Sequence, residues 1–398
     1  MAFEGFAILK KHGLVYLAGE ERTGKLLTSI LIAEQCAGVK NVLVLTTKQA
    51  LKGWNEALVQ YETNLRIHAT NYHQAKSVSG GYDLVILDEC HNYMSAYPKQ
   101  SAMWDIVKKL CYQVPIIYSS ATPHAQGRQQ LYGQLALSSY SPWKQYKNFF
   151  KWFNHYGIPE MIMIRGQQVN QYNKVDDAMV RKSVDHLFVS TTRQEQGFEH
   201  EPSDVIHWVE LDEATKNTYN ALIDDKYYQF LDGDEIIADT VASLKANLHQ
   251  IESGGCKIQR LDKKNCTVIS DPKVLSNKEK VDYIKKTWGD KDNMIIMYQY
   301  HSEGAKLHGS FKKAQILQGT TFAEGVDLSH YKHLIIYSMD FRTSKYSQRR
   351  ARQANRAREE KIDVHYLLVK GAISEQVYTT VAVNKKNFID SVFKKEKL

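Results

Sequence analysis

A glycine-flanked, lysine-ended loop between a short apolar run and an amphipathic run leaves a chain few ways to fold. Here the loop is Gly19-Glu20-Glu21-Arg22-Thr23-Gly24-Lys25. Leu14-Val15-Tyr16-Leu17-Ala18 precedes it and has the length of one buried strand. Leu26 to Glu34 follow it, with apolar residues at helical spacing. Between a strand and a helix, such a loop can turn its backbone N–H groups inward around phosphate oxygens, and the helix N-terminus adds partial positive charge. In that reading Gly19, Thr23, Gly24 and Lys25 hold a nucleotide, and Lys25 reaches its β- and γ-phosphates. A P-loop ordinarily continues with Ser or Thr, whose hydroxyl binds Mg²⁺; this chain has Leu26. The plain alternative is a tight turn between strand and helix.

The pattern around the loop points to an α/β chain. Val42 to Leu45, Leu84 to Leu87 and Pro115 to Tyr118 are further apolar runs, separated by segments of helical character. Runs of this kind imply a parallel sheet, whose ligands sit at the carboxyl ends of the strands. The runs end in Thr46-Thr47-Lys48, Asp88-Glu89-Cys90-His91 and Ser119-Ser120-Ala121-Thr122-Pro123, so every polar cluster falls where a ligand is expected. At such an end Asp88 can hold Mg²⁺, and Glu89 can polarise an attacking water as general base. The alternative for these two residues is an acidic cap on the next helix.

A length of 398 residues predicts two or more domains, and a net charge of +8 permits a polyanionic partner without requiring one. The five cysteines, Cys36, Cys90, Cys111, Cys256 and Cys266, are odd in number and form no CxxC pair, which speaks against a disulfide framework or a zinc site. Met1 to Gly5 lack the basic-then-apolar form of a signal peptide, and no apolar run is long enough to span a bilayer. No membrane partner is expected, and a cytoplasmic location is.

Gly19 to Lys25, Asp88-Glu89-Cys90-His91 and Ser120-Ala121-Thr122-Pro123 resemble motifs I, II (a DEAH-like box) and III of superfamily-2 helicases and translocases. Thr46-Thr47-Lys48 with Trp54 resembles motif Ia, and Thr70-Asn71-Tyr72 the short motif before motif II in the Swi/Snf-like group. The resemblance implies that Thr46, Lys48, Asn71 and Tyr72 contact the nucleic-acid backbone, and that Ser120 and Thr122 couple hydrolysis to movement. Ordinary core packing is the competing account of Trp54 and Tyr72.

Residues 141–200 are rich in aromatics, and Tyr146 to Phe153 interleave them with lysines. A helix with one buried aromatic face is the preferred reading, over a surface that stacks on bases. By resemblance this stretch is a protrusion and linker, and Arg193 is the basic residue leading into a second lobe. Val205 to Leu211 have strand character, and Asp212-Glu213-Ala214-Thr215 start a helix. A helical insertion to about Gln250 and a hairpin across 256–269, with a basic tip at Lys263-Lys264, complete the insertion at about 213–275.

Met294 to Tyr298, Leu334 to Tyr337 and Val364 to Val369 bring the strands back. By resemblance Gln299 belongs to motif IV, Thr320 to Leu328 form motif V, and Gln348 to Arg356 form motif VI. That assigns Gln299 and Thr320 to nucleic acid, Gly325, Asp327 and Arg356 to the nucleotide, and Gln348 and Arg352 to catalysis, with Arg352 as the finger on the γ-phosphate. Motif VI runs Gln-x-x-Gly-Arg-x-x-Arg in the family; here Ala351 replaces the glycine, and Asn355 stands where the second arginine is expected. A basic surface helix is the alternative there.

The expected architecture is two RecA-like parallel-sheet lobes with helical protrusions between them: residues 1–140, a linker at 141–200, and 201–398. The expected function is an ATP- and Mg²⁺-dependent DNA translocase or helicase of compact phage or bacterial type, acting on duplex or branched DNA. An RNA helicase is one alternative. A degenerate, non-hydrolysing scaffold on DNA is the other.

Overall fold

The computed structural model describes the chain except residues 125–126, 165–166, 201, 263–266, 320–327, 329–330, 343–345, 347–349, 351–362 and 385–398. Of the sequence-predicted site residues, Thr320, Gly325, Asp327, Gln348, Arg352 and Arg356 lie outside the described residues, as do Cys266 and the hairpin tip at Lys263-Lys264. The chain forms two units, Met1–Phe198 and Glu199–Leu398.

The first unit alternates helices and strands as far as its last sheet strand. These are α1 (Ala2–His12), β1 (Leu14–Leu17), α2 (Lys25–Gln35), β2 (Asn41–Thr46), α3 (Leu51–Gln60), β3 (Arg66–Asn71), β4 (Leu84–Asp88), α4 (His91–Met94), α5 (Ala102–Cys111), β5 (Ile116–Ser119), α6 (Gln130–Leu135), α7 (Phe149–Tyr156), β6 (Glu160–Ile164), β7 (Gln167–Gln171), α8 (Asp177–Val184) and β8 (Phe188–Val189). The sheet is parallel, in the order β3-β2-β4-β5-β1-β8. Its central strands are apolar because helices cover both faces; Leu14 to Leu17, Leu84 to Leu87 and Ile116 to Tyr118 are all buried, while the edge strand β3 is more polar. Register brings Leu17, Ser119, Asp88, Thr46 and Asn71 to one edge of the sheet, where the site lies.

Residues 141–198 belong to this unit. In α7 the apolar face of Phe149, Trp152, Phe153 and Tyr156 is buried in the core with Trp143, Tyr132 and Tyr118, and the Asn148 side chain caps the helix at the Lys151 N–H. The interleaved aromatic run is therefore mainly core, with Phe150 left exposed. β6 and β7 form an antiparallel hairpin.

The second unit comprises β9 (Ser203–Trp208), α9 (Glu213–Asp225), β10 (Tyr227–Gln229), β11 (Glu235–Ile237), α10 (Val241–Ile251), β12 (Gly255–Asp262), β13 (Thr267–Val274), α11 (Glu279–Thr287), β14 (Met294–Tyr298), α12 (His301–Ser310), β15 (Gln315–Gln318), β16 (His333–Ile336), β17 (Asp363–Leu368) and α13 (Ile373–Tyr378). Its main sheet is parallel, in the order β15-β14-β16-β17-β9. The chain is thus α/β with two RecA-like parallel sheets, as expected.

The insertion differs from the expected helical stretch to Gln250. Asp212 starts α9 as read, its carboxylate accepting the Thr215 N–H at 2.7 Å. The helix stops at Lys226, in the left-handed region with φ 57. The β-prone Tyr227-Tyr228-Gln229 then pairs with Glu235-Ile236-Ile237 across a turn at Gly233, φ 87. β10 and β11 join the predicted hairpin in a sheet ordered β10-β11-β12-β13. No described helix is long and apolar enough to cross a membrane.

Candidate nucleotide site

The loop after β1 is built largely by backbone bonds. The Ala18 N–H donates to Val189 O at 2.8 Å, and the Glu20 N–H to Thr191 O at 2.9 Å, so the loop is zipped to the segment that follows β8. The Thr23 hydroxyl donates to Glu20 O at 2.8 Å. Gly24 precedes α2 with φ 78, a left-handed conformation that favours glycine. A Cβ on Gly19 would lie 2.6 Å from Thr23 Oγ1 and 3.1 Å from Thr191 Cγ2, so a side chain there would collide.

Lys25 opens α2, and its Nζ donates to the carbonyl oxygens of Gly19 at 2.8 Å and Glu20 at 2.7 Å. Burial lowers its pKa, while the charges of Glu89, Glu21 and Asp88 act to raise it. A partly buried ammonium satisfied by two loop carbonyls, with carboxylates around it, is a cation that phosphate oxygens can claim. Lys25, at the start of α2 behind Gly24, fits a nucleotide on this ground.

Asp88 ends β4. Its Oδ2 accepts from the Thr46 hydroxyl at 2.8 Å and from the Trp54 indole N–H at 3.0 Å, and its backbone oxygen accepts from the Tyr72 hydroxyl at 3.0 Å. The sequence reading placed Thr46 and Tyr72 on nucleic acid; their side chains are buried and directed at Asp88. Trp54 is likewise core, 1% exposed. Thr46 and Trp54 fix the carboxylate in one orientation and Tyr72 holds the backbone beneath it.

Glu89 is one of the few non-glycine residues in the left-handed region, with φ 49. Its N–H is held by Ser119 O at 2.8 Å. Such a backbone costs on the order of 1–3 kcal/mol and persists only where surrounding contacts enforce it. His91 lies beside it, with Nδ1 3.3 Å from Glu89 Oε2. The same imidazole meets Ser120 Oγ at 2.7 Å and Thr122 Oγ1 at 3.3 Å, and the Thr122 N–H donates to Ser120 Oγ at 3.0 Å. Ser120 in turn donates its N–H to Leu17 O at 3.1 Å, which closes the path back to the strand before the loop.

Gln134 was not singled out from sequence, and it braces the same edge from below. Its amide accepts from the Tyr16 hydroxyl at 2.6 Å and from Cys90 Sγ at 3.4 Å, and donates to Ser95 Oγ at 2.8 Å and Pro123 O at 2.7 Å. No periodic signal marks a buried glutamine. The nearest cue is its place in the helix that follows Thr122-Pro123.

Lys48 is exposed just past β2. Asn71 caps the turn at 72–77, its Oδ1 accepting the Gln74 N–H at 3.3 Å and its Nδ2 donating to Gln74 Oε1 at 2.8 Å. In the second unit Gln299 follows β14; its N–H donates to Glu303 Oε2 at 2.8 Å and Ser338 Oγ at 2.9 Å, and its amide to Asp340 Oδ2 at 3.1 Å.

Metal ligation is thinner than nucleotide ligation. Asp88 offers oxygen, whereas Leu26 at the start of α2 is partly buried against the core and offers none. Among the described residues no cluster of three or more metal-ligating side chains occurs, so a metal here would depend on Asp88, phosphate oxygens and water.

No family model matches the chain, and no curated protein does. Among solved structures the chain is similar to a Sulfolobus solfataricus SWI2/SNF2 ATPase core in complex with dsDNA, with 14% sequence identity and a TM-score of 0.40, over 99% of this chain and 92% of that one. With a likeness this low, the functional reading rests on the site itself.

Proposed function

We propose that the chain is an ATP-driven DNA translocase. The observation that carries this reading is the gathering of Lys25, Asp88, Glu89 and the His91–Ser120–Thr122 cluster at the carboxyl edge of one parallel sheet. Lys25 would hold the β- and γ-phosphates, and Thr23, Gly19 and Gly24 would shape the cradle. Asp88 would hold Mg²⁺, whose chemistry is to neutralise developing charge on the phosphates. Glu89 would orient the attacking water and accept its proton. Ser120 and Thr122 would sense the state of Glu89 through His91. By their motif resemblance, Gln348 and Arg352 would serve catalysis, and Gly325, Asp327 and Arg356 the nucleotide. Lys48, Asn71, Gln299 and Thr320 would follow the DNA backbone, and Thr46 and Tyr72 would serve them through Asp88.

The second reading, a scaffold on DNA that does not hydrolyse ATP, is favoured by one observation: Leu26 removes the hydroxyl that a metal would use. ATPase rate measured against single-stranded, duplex and branched DNA and against RNA separates the readings. The translocase requires stimulation by DNA; stimulation by RNA alone supports an RNA helicase, since the 2′-OH distinguishes the two. Absence of turnover with every nucleic acid leaves the scaffold.

A further inference from the structure

The loop that would hold a triphosphate carries two acids of its own, Glu20 and Glu21. Carboxylates beside a polyanion oppose its binding unless another charge holds them. That charge is on Arg193, far along the chain. Its backbone N–H donates to Glu20 Oε2 at 2.7 Å, its Nη1 to Glu21 Oε2 at 3.3 Å, and its Nε lies 3.9 Å from Glu20 Oε2. Arg193 is only 9% exposed and the Glu21 side chain 19%, so solvent screens that pair weakly, while Glu20 is the more exposed partner. Glu21 also presents Oε1, buried and without a hydrogen-bond partner among the described residues, close enough to Lys25 to favour its charged form.

We propose that Arg193 is a positioning residue for the phosphate loop. It draws Glu20 and Glu21 aside, leaving Lys25 to an incoming triphosphate. The inference rests on the nucleotide reading above and adds a route out of the site. Thr191 accepts the loop's Glu20 N–H, and its methyl lies where a Cβ on Gly19 would collide. The Phe198 N–H donates to Arg193 O at 3.1 Å, at the end of the first unit. Nucleotide affinity is thereby tied to the segment through which the chain leaves that unit.

The test measures binding of ATP to the full chain, with the melting temperature as a control for folding. Arg193→Ala should weaken ATP binding about tenfold or more, which corresponds to about 1.4 kcal/mol. Arg193→Lys, which keeps the charge and loses the planar fork, should fall between. Adding Glu20→Gln and Glu21→Gln to Arg193→Ala should restore binding, because the repelling charges are gone. A residue with a merely structural role would not be rescued in this way. Glu20→Gln with Glu21→Gln in the otherwise unaltered chain should bind ATP at least as tightly as the parent, which serves as the test should Arg193→Ala not fold. Equal binding by the parent and Arg193→Ala, a triple variant as weak as Arg193→Ala, or a tenfold loss in the double glutamine variant each overturns the proposal and leaves the nucleotide reading standing. Failure of the unaltered chain to bind ATP overturns both.

Discussion

Glu89 is the residue on which the proposed chemistry most depends. Its left-handed backbone is fixed by Ser119 and its carboxylate lies beside His91, so the group is set in place before any substrate arrives. If it orients the attacking water, Glu89→Gln should keep ATP affinity and lose about 10²–10⁴-fold in turnover, measured by steady-state ATPase alongside nucleotide binding. Near-normal ATPase would remove it from the mechanism. Leu26 makes the opposite kind of prediction. Leucine gives Mg²⁺ no oxygen, and Mg²⁺ demands near-octahedral oxygen ligands. The next hydroxyl along the helix, on Thr28, lies two residues on, and two residues turn a helix by about 200°. Leu26→Thr should therefore raise ATPase and lower the Mg²⁺ needed for half-maximal rate. Its side chain is also partly buried against the core, so a small loss of melting temperature should accompany the gain. A Mg²⁺ titration that is the same for both proteins would refute the ligand argument.

Among the elements, β9 and β17 of the second sheet carry a histidine pair. His207 Nε2 and His365 Nδ1 lie 3.0 Å apart, and Trp288 packs 4.9 Å from the His365 ring. Burial, with the nearby His207, holds the His365 pKa down to about 4. An unfolded histidine titrates near ~6.5. The folded state therefore favours the neutral ring, and stability complete above the unfolded value is lost as pH falls through it toward about 4. The melting temperature should drop between pH 7 and pH 5, and His365→Gln should flatten that drop. The neighbouring helices hold a different kind of charge. Lys280 of α11 is buried, donating to Ser253 Oγ at 3.1 Å and Tyr337 O at 3.0 Å, with the buried carboxylates of Glu252 and Glu303 acting on its charge. Burial pushes its pKa down and theirs up. Lys280→Met should cost about 1–3 kcal/mol in denaturant unfolding, since it leaves the buried Ser253 Oγ and Tyr337 O without their donor.

For the whole molecule the prediction concerns charge and nucleic acid. A protein of net charge +8 that follows a backbone should lose DNA affinity steeply as salt rises, through release of counterions. It should select little among sequences, because backbone contacts carry no base information. Binding that ignores salt, or that picks one sequence, would count against a translocase. In the same assays Arg352→Ala should cut hydrolysis by roughly 10³-fold or more if it is a finger, with DNA affinity in the absence of nucleotide little changed.

The amino-acid sequence by itself determined the parallel sheets and the edge that matters. Apolar runs such as Leu84 to Leu87 fit only a strand covered on both faces, and the polar residues after them had to emerge at the carboxyl ends. It also settled the buried face of α7 and the Asp212 cap, because both are local and periodic. It did not determine which side chains serve which. Thr46 meets Asp88 because register levels β2 and β4, while Trp54 of α3 and Tyr72 after β3 reach it from neighbouring elements, and such contacts leave no trace in spacing. β10 and β11 escaped the reading because three residues on each side of a turn are too few to show a period. Arg193 and Glu20 stand 173 residues apart, and only the folding of β8 beside β1 made them neighbours. Local physics is legible in a sequence because it repeats. Contacts between distant segments are not, because they exist only once the sheet has closed.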